Sequence, residues 1–190
     1  MADWATILVV AATEHELAAP DGWRTLRCGV GPVEAAAATA ATIAACRPAA
    51  ILHVGIAGAR RQPALAPPAL VIGREARYCD LDPSNALAPH TVAASAVLLA
   101  AAQRAFPTAV TLAIGTSGRV GGTSGCEVEA MEGFGVLRAA QLAGVPAIEI
   151  RAISNHIDEP NRALWHYEEA FAAIVAATPI LVAEAAQCVS

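Results

Sequence analysis

Strand-length apolar runs alternate with helix-length segments along most of this chain, and this alternation constrains the fold more than any other feature. The runs cover residues 6–11, 50–54, 69–73, 109–114 and 146–153. Continuous apolar runs of this length are typical of strands that are covered on both faces of a sheet. Helices are predicted between and after them, at residues 32–46, 91–105, 132–143 and 162–186, the last interrupted near Pro179. The pattern predicts an α/β fold with three α-β-α layers around a mostly parallel, twisted central sheet.

Length and composition narrow the class of protein. A chain of 190 residues suits one domain, predicted here as 1–190, and an apolar content of 56% provides a sizeable core. The net charge of −5 comes with scattered Arg, which gives no electrostatic footprint for nucleic acid. No apolar run reaches membrane-spanning length without interruption, and Glu14 and Glu16 come too early for a signal peptide. We therefore expect a cytoplasmic protein that binds neither nucleic acid nor membrane.

The five cysteines are odd in number, widely spaced and without a C-x-x-C pair. This spacing argues against a disulfide framework and against a zinc site. We interpret them as reduced core or surface thiols.

Polar or glycine-rich stretches follow four of the predicted strands, where ligands bind in open α/β sheets. They read ATEHEL, GIAGARR, GTSGRVGG and the pair Ser154-Asn155. A purely structural role is an alternative to ligand binding for these stretches. Glu14 and Glu16 suit the first turn of a helix. Asn155 either caps a helix or presents an amide donor and acceptor to a heterocycle.

Structural explanations also exist for the glycine-rich stretch, for the pair Glu129 and Glu132, and for His53. GTSGRVGGTSG lacks the Lys of a Walker motif and is either a surface loop or a lid. Glu129 and Glu132, beside Met131, stand where a helix begins and suit capping carboxylates. His53 lies inside an apolar strand, as a satisfied core histidine does.

Four motifs, taken in order, resemble the purine nucleoside phosphorylase and nucleosidase superfamily. They are ILVVAATEHEL, CGVGPVEAAAATAATI, ILHVGIAGA and VEAMEGFGVLRAAQLAGVPAIEIRAISN, and they extend across nearly the whole chain. The last is the most specific, since it combines a Met-Glu pair, a helix, a strand and a base-binding dipeptide at family spacing. The resemblance implies a nucleoside phosphorylase-like fold.

The resemblance also implies roles for individual residues. Cleavage of an N-ribosyl bond builds positive charge on the sugar and negative charge on the departing purine, so the site needs a carboxylate near the ribose and a donor near the base. Glu132 and Met131 match the ribose-binding pair, and Glu16 matches the carboxylate that deprotonates water. Arg151 corresponds to an arginine near that water, and Asn155 to the base-contacting position. Substrate contacts are also implied for these residues: Ser154, Ile56, Ala57 and Val120, with Arg119 beside the purine.

Asn155 bears on which base is cleaved. An amide NH2 matches the acceptors N7 and O6 of a 6-oxopurine, whereas the adenine-specific nucleosidases of the superfamily carry Asp at this position. The implied activity is hydrolysis of futalosine to hypoxanthine and dehypoxanthine futalosine in menaquinone biosynthesis. A rotated Asn also pairs with adenine, so a nucleosidase for 5′-methylthioadenosine or S-adenosylhomocysteine is the alternative. A nucleoside-binding sensor on the same scaffold is the alternative outside enzymes.

Water is the expected nucleophile. Ile56 stands in the glycine turn where phosphorylases bind phosphate, and an apolar side chain there does not coordinate a dianion that Glu16 would repel. Arg60 and Arg61 lie just beyond and leave phosphate binding open. The implied mechanism uses no metal and no organic cofactor. The partners expected are a small nucleoside substrate and, because the subunit is so apolar, a second copy of the chain.

Overall fold

The computed structural model describes residues 4–61, 65–82, 84, 87–121 and 125–189. The strands are β1 (Ile7–Ala11), β2 (Arg24–Arg27), β3 (Ala50–Ala59), β4 (Leu70–Tyr78), β5 (Thr91–Ala93), β6 (Val110–Thr116), β7 (Val128–Ala130) and β8 (Ala147–His156). The helices are α1 (Pro32–Cys46), α2 (Ala96–Ala105), α3 (Gly133–Ala143) and α4 (Tyr167–Ala186). Short 3-10 turns cover Trp4–Thr6, Glu14–Glu16 and Arg162–Leu164.

The strands form one mixed sheet that closes on itself. The order is β2-β1-β3-β7-β6-β4-β5, and β8 pairs with both β3 and β4, which completes a ring of β3, β7, β6, β4 and β8. The pairs β1–β2, β1–β3, β3–β8, β4–β6 and β6–β7 are parallel, whereas β3–β7, β4–β5 and β4–β8 are antiparallel. The prediction of α/β architecture is confirmed, but the expected mostly parallel sheet is a mixed, closed one.

Register shifts allow this closure. The β3–β8 ladder shifts between Ala57 and Gly58, and the β4–β6 ladder shifts between Gly73 and Glu75. An extra residue in one strand bends the strand and increases its twist. The shifts lie at or beyond the ends of the apolar runs at 50–54 and 69–73, so the runs themselves carry no sign of the closure.

Helices cover the two faces of the sheet. Ile7 and Val9 of β1 pack with Leu98 of α2 and Ile174 of α4 in one buried cluster. The alternate residues of β1, Leu8 and Val10, pack on the other face in a second cluster with α1 and α3. Every residue of β1 is buried, as expected for a strand covered on both faces.

Helix α1 has the predicted bounds because its ends are marked locally. Gly31 at its N-terminus has a φ of 96°, Pro32 begins the helix, and Arg47 ends it in the left-handed region at a φ of 43°. Gly144 ends α3 in the same way, at a φ of 70°.

Other element predictions were wrong in their bounds. Residues 91–93 form β5 rather than the start of a helix, and α4 begins at Tyr167 after a separate 3-10 turn. Helix α4 continues through Pro179 without interruption. Proline costs a helix one backbone hydrogen bond, and the burial of Ile174, Leu181 and Val182 against the sheet outweighs that loss.

Helix α4 is also long and apolar enough, by length and composition alone, to cross a membrane. It lies against β1, β3 and β8, and its buried side chains belong to the core. A core helix of a globular protein meets the same criterion.

Candidate active site

A cavity of about 300 Å³ opens where the ends of several strands meet. Its lining includes, with the exception of Arg119, every residue that the sequence predicted for the site, namely Glu16, Ile56, Ala57, Val120, Met131, Glu132, Arg151, Ser154 and Asn155. These residues come from the turn after β1, from β3, from the β6–β7 connection, from the segment before α3 and from β8. The structure therefore brings them together, and their chemical roles remain predictions.

Glu16 is held at both carboxylate oxygens. Its Oε2 accepts hydrogen bonds from the backbone N–H of Thr13 at 2.9 Å and from Thr13 Oγ1 at 2.8 Å, within a 3-10 turn. Its Oε1 accepts from the backbone N–H of Ile56 at 3.1 Å. Glu16 is 3% exposed, in contrast to its solvated neighbour Glu14. The two carboxylates considered together in the sequence thus separate into one buried and one surface group.

Arg151 is the buried cation of the cavity. It is 1% exposed, and its Nη2 donates to Oε2 of Glu132 at 3.2 Å. Its Nε donates to Oε1 of Glu149 at 2.8 Å, and its Nη1 donates to the carbonyl of Ile56 at 3.3 Å. The second oxygen of Glu132, Oε1, accepts from the backbone N–H of Gly31 at 3.2 Å. Glu132 is therefore fixed between the start of α1 and the guanidinium.

His53 is the satisfied core histidine that the sequence favoured. Its Nδ1 lies 3.0 Å from the carbonyl oxygen of Val10, which accepts only, so Nδ1 carries the hydrogen. Its Nε2 then accepts from Nη2 of Arg151 at 2.6 Å. Burial, reinforced by the charge of Arg151, holds the pKa of His53 well below 6.5. His53 is a neutral acceptor behind the guanidinium.

The amide of Asn155 has one defined orientation. Ser154 Oγ lies 2.8 Å from Asn155 Oδ1, and Nδ2 donates to the carbonyl of His156 at 2.9 Å. The opposite orientation would place two acceptors, Oδ1 and the His156 oxygen, against each other. One N–H of Nδ2 and one lone pair of Oδ1 remain for a ligand. The sequence analysis assumed that both N–H groups were available.

Acidic groups dominate the charge of the cavity. Glu16, Glu129 and Glu132 line it, with Arg151 as the buried counter-charge and Arg162 as an exposed one. Arg60 donates through Nε to the carbonyl of Cys126 at 2.8 Å, and Arg61 pairs with Asp158 at 3.0 Å. Neither Arg60 nor Arg61 lines the cavity.

Aromatic residues that the sequence analysis missed line another side of the cavity. Trp165, Tyr167 and Phe171 stand there, and Arg162 lies over the Trp165 ring with its Cζ 5.6 Å from the ring centroid. Tyr167 stacks on Phe171, which stacks on His15 in the turn that holds Glu16. Aromatic residues form 4% of the chain, so three within residues 165–171 are a local enrichment that would have marked this segment.

The glycine-rich stretch contributes only in part. Val120 and Gly121 line the cavity, and residues 122–124 lie outside the described residues. Arg119 borders a separate pocket with Cys79, Asp80 and Gly118. Arg119 therefore does not line the cavity that holds the other predicted site residues.

The chain is similar to known proteins of one superfamily. The model of the phosphorylase superfamily matches residues 25–189. Futalosine hydrolase of Streptomyces coelicolor is 33% identical over 186 residues, which cover 85% of this chain and 78% of that protein.

Solved structures show the same fold. Futalosine hydrolase of Helicobacter pylori superposes with a TM-score of 0.83 at 18% identity, covering 94% of this chain and 97% of that one. The 5′-methylthioadenosine/S-adenosylhomocysteine nucleosidase of Colwellia psychrerythraea, solved with adenine, has a TM-score of 0.82 at 19% identity and covers 96% and 95%. The resemblance noted in the sequence motifs is confirmed, and the chain is a nucleosidase that belongs to the phosphorylase superfamily.

Proposed function

We propose that this nucleosidase hydrolyses futalosine, releasing hypoxanthine and leaving dehypoxanthine futalosine. The observation that carries the proposal is the convergence of Glu16, Glu132 and Asn155, far apart in sequence, on one cavity. The S. coelicolor relative is a futalosine hydrolase. Here the two carboxylates and the amide meet the needs of that reaction, namely a base for water, a ribose contact and a donor to the departing purine.

The proposed reaction proceeds by attack of water on the ribose. Glu132 binds the sugar hydroxyls, and Met131 packs against the sugar. Glu16 takes a proton from water as the water oxygen attacks C1′, and the bond from C1′ to the purine breaks with its electron pair leaving on the base. The free N–H of Asn155 stabilises that charge. Because both oxygens of Glu16 are held by neighbouring N–H and O–H donors, the carboxylate is already oriented before substrate binds.

Water rather than phosphate is the proposed nucleophile. A phosphate dianion would meet three carboxylates, Glu16, Glu129 and Glu132, at the cavity wall. The buried guanidinium of Arg151 is already paired with Glu132 and Glu149. Arg60 and Arg61 are bound elsewhere, so neither supplies a phosphate site in this arrangement. Ile56 offers its backbone N–H to Glu16 and an apolar side chain to the cavity.

The base preference rests on Asn155. Its orientation leaves an N–H toward the ligand, which suits the N7 or O6 acceptor of a 6-oxopurine. A nucleosidase for 5′-methylthioadenosine or S-adenosylhomocysteine is the second candidate, since nucleosidases of that kind share the fold.

We further propose that the enzyme acts in the cytoplasm as a single-domain subunit that self-associates. Val30 and Val120 line the cavity and are 55% and 45% exposed, and Val33 nearby in sequence is 75% exposed. Covering this apolar rim with a second subunit would remove it from water. Size-exclusion chromatography with light scattering tests the assembly, and a monomer at micromolar concentration would contradict it.

One assay tests the reaction. Futalosine, 5′-methylthioadenosine and S-adenosylhomocysteine are offered separately, with and without phosphate, and base release is followed by chromatography. We expect hypoxanthine from futalosine at a rate that phosphate does not change. Release only with phosphate would reject hydrolysis, and faster release of adenine from the other substrates would favour the second candidate. Binding without turnover would indicate a sensor.

A further inference from the structure

We propose that Glu149 and His53, which the cavity does not expose, are positioning residues that fix Arg151 for the reaction. The inference rests on the proposed function in that Arg151 borders the proposed water and ribose sites. Neither Glu149 nor His53 lines the cavity, and both are 0% exposed. An effect of either residue on catalysis is therefore indirect, and Arg151 is the cavity-lining side chain to which both are hydrogen-bonded.

The donors of Arg151 show how it is held. A guanidinium has five N–H groups in a rigid plane. Nε donates to Glu149, and Nη2 contacts His53 and Glu132. Nη1 donates one hydrogen bond to the carbonyl of Ile56. Nη1 also lies close to Gly55, where a Cβ would collide with both Nη1 and Oε1 of Glu16.

Glu149 is placed by the strand and by helix α3. It lies two residues before Arg151 on β8, so both side chains leave the same face of the strand. Its carboxylate rests on Gly133 in the first turn of α3, where any Cβ would collide with it. Oε1 accepts from Arg151, and Oε2 has no hydrogen-bond partner among the described residues. A buried carboxylate with one unsatisfied oxygen costs stability, which indicates that it is retained for what it does to Arg151.

His53 restrains the other edge of the guanidinium. The Val10 carbonyl fixes its tautomer, so its Nε2 lone pair accepts from Nη2. Glu149 and His53 thus hold Arg151 from two sides, and the guanidinium plane is set before substrate enters. A misplacement of about 1 Å in such a group costs on the order of 10²-fold in rate.

The test compares two substitutions of Glu149. Glu149→Leu removes the acceptor of Nε, whereas Glu149→Gln keeps an acceptor and loses the charge. We expect Glu149→Leu to lower kcat about 100-fold with KM changed less than about 3-fold, and Glu149→Gln to recover about 10-fold of that loss. Thr39→Val is the control, because Thr39 is fully buried on α1, its hydroxyl has no hydrogen-bond partner among the described residues, and it lies outside the cavity. Its kcat should match the wild type.

Two further measurements separate positioning from folding and from the identity of the substrate. In an Arg151→Gln background, Glu149→Leu should reduce the remaining activity by less than about 2-fold, since the group it acts through is gone. Rates are taken on whichever nucleoside the wild type cleaves fastest, so failure of the futalosine assignment alone leaves the test intact. The Nε–H signal of Arg151 in ¹⁵N NMR should be sharp and slow to exchange in the wild type and lost in Glu149→Leu. Unchanged kcat in Glu149→Leu, additive losses in the double variant, or a rapidly exchanging wild-type signal would overturn the proposal.

Discussion

Glu16 Oε1 accepts a hydrogen bond from the backbone N–H of Ile56 at 3.1 Å, although 40 residues separate the two in the chain. The contact joins the turn after β1 to the cavity-lining part of β3, two strands that pair in parallel. Thr13 holds the other oxygen of Glu16 from the same turn. The carboxylate is therefore fixed by its own turn on one side and by the neighbouring strand on the other.

Replacing this carboxylate tests the proposed base. Glu16→Gln should lower the rate of hypoxanthine release about 10²–10⁴-fold, because a neutral amide cannot accept the proton of water. Circular dichroism should show a wild-type fold. The matched control is Glu14→Gln, since the Glu14 side chain is 78% exposed in a surface pair with Arg27. Glu14→Gln should retain full activity, and an active Glu16→Gln would show that another group activates water.

There is no room for a side chain at Gly55, because the side chains of Arg151 and Glu16 lie directly against its backbone. A Cβ at this position would collide with Arg151 Nη1 and lie 2.7 Å from Glu16 Oε1. Gly55→Ala should therefore displace both groups, reduce kcat by at least about 10²-fold and destabilise the fold by about 1–3 kcal/mol. Gly118→Ala is the control, because its Cβ would meet only Asp80 Oδ2, at 3.4 Å. Equal activity of the two variants would contradict the prediction.

Asn155→Asp should change which base is released. One carboxylate oxygen would lie where Nδ2 is now, 2.9 Å from the His156 carbonyl, and would repel that oxygen and the O6 of a 6-oxopurine unless protonated. We expect slower cleavage of futalosine and a higher relative rate on its 6-amino analogue, measured side by side. Asn161→Asp, at an exposed turn where the side chain accepts from Ala163 N–H, should behave as wild type. An unchanged ratio of the two rates in Asn155→Asp would remove Asn155 from base selection.

His53 should make the fold less stable in mild acid. Its folded pKa lies well below the ordinary 6.5, so below pH 6.5 the unfolded chain takes up a proton that the folded chain does not. The free energy of unfolding should then fall by up to about 1.4 kcal/mol per pH unit as pH drops below 6.5. Burial raises the pKa of Glu149, which acts in the opposite direction, with stability gained as pH falls through that raised pKa toward 4.5.

Urea denaturation at pH 7.5 and 5.5 measures the effect. His53→Asn should show a smaller loss of stability between these two conditions than the wild type does, because Asn does not titrate. Glu149 is present in both proteins, so the difference between them isolates the imidazole. The same pH dependence in both proteins would show that His53 takes up its proton as readily in the folded chain as in the unfolded one.

Local signals account for the elements that were predicted well. The start of α1 follows from Gly31 and Pro32, and β1 follows from the continuous apolar run ILVVA. The missed strands had no such signal. β2 reads RTLR and is mostly exposed, whereas β5 and β7 have three residues each, too few for a periodic pattern. Pro179 was misjudged because the burial of α4 against the sheet is not visible in its own sequence.

The candidate site likewise has a part that local sequence motifs predicted and a part that only tertiary contacts define. The motif MEGFG…EIRAISN, read with its family resemblance, named the residues that line the cavity, because side chains at strand ends and helix starts keep fixed spacings along the chain. It gave no indication that Glu149 and His53 enclose Arg151, or that Trp165, Tyr167 and Phe171 form a cavity wall. Sequence alone determined the alternation of strands and helices, since hydrophobic period is a local property. Only the tertiary structure decided the closed sheet and the charge network. Strand pairing and ion pairs join residues that are far apart in the chain, and no local sequence pattern indicates which of them meet.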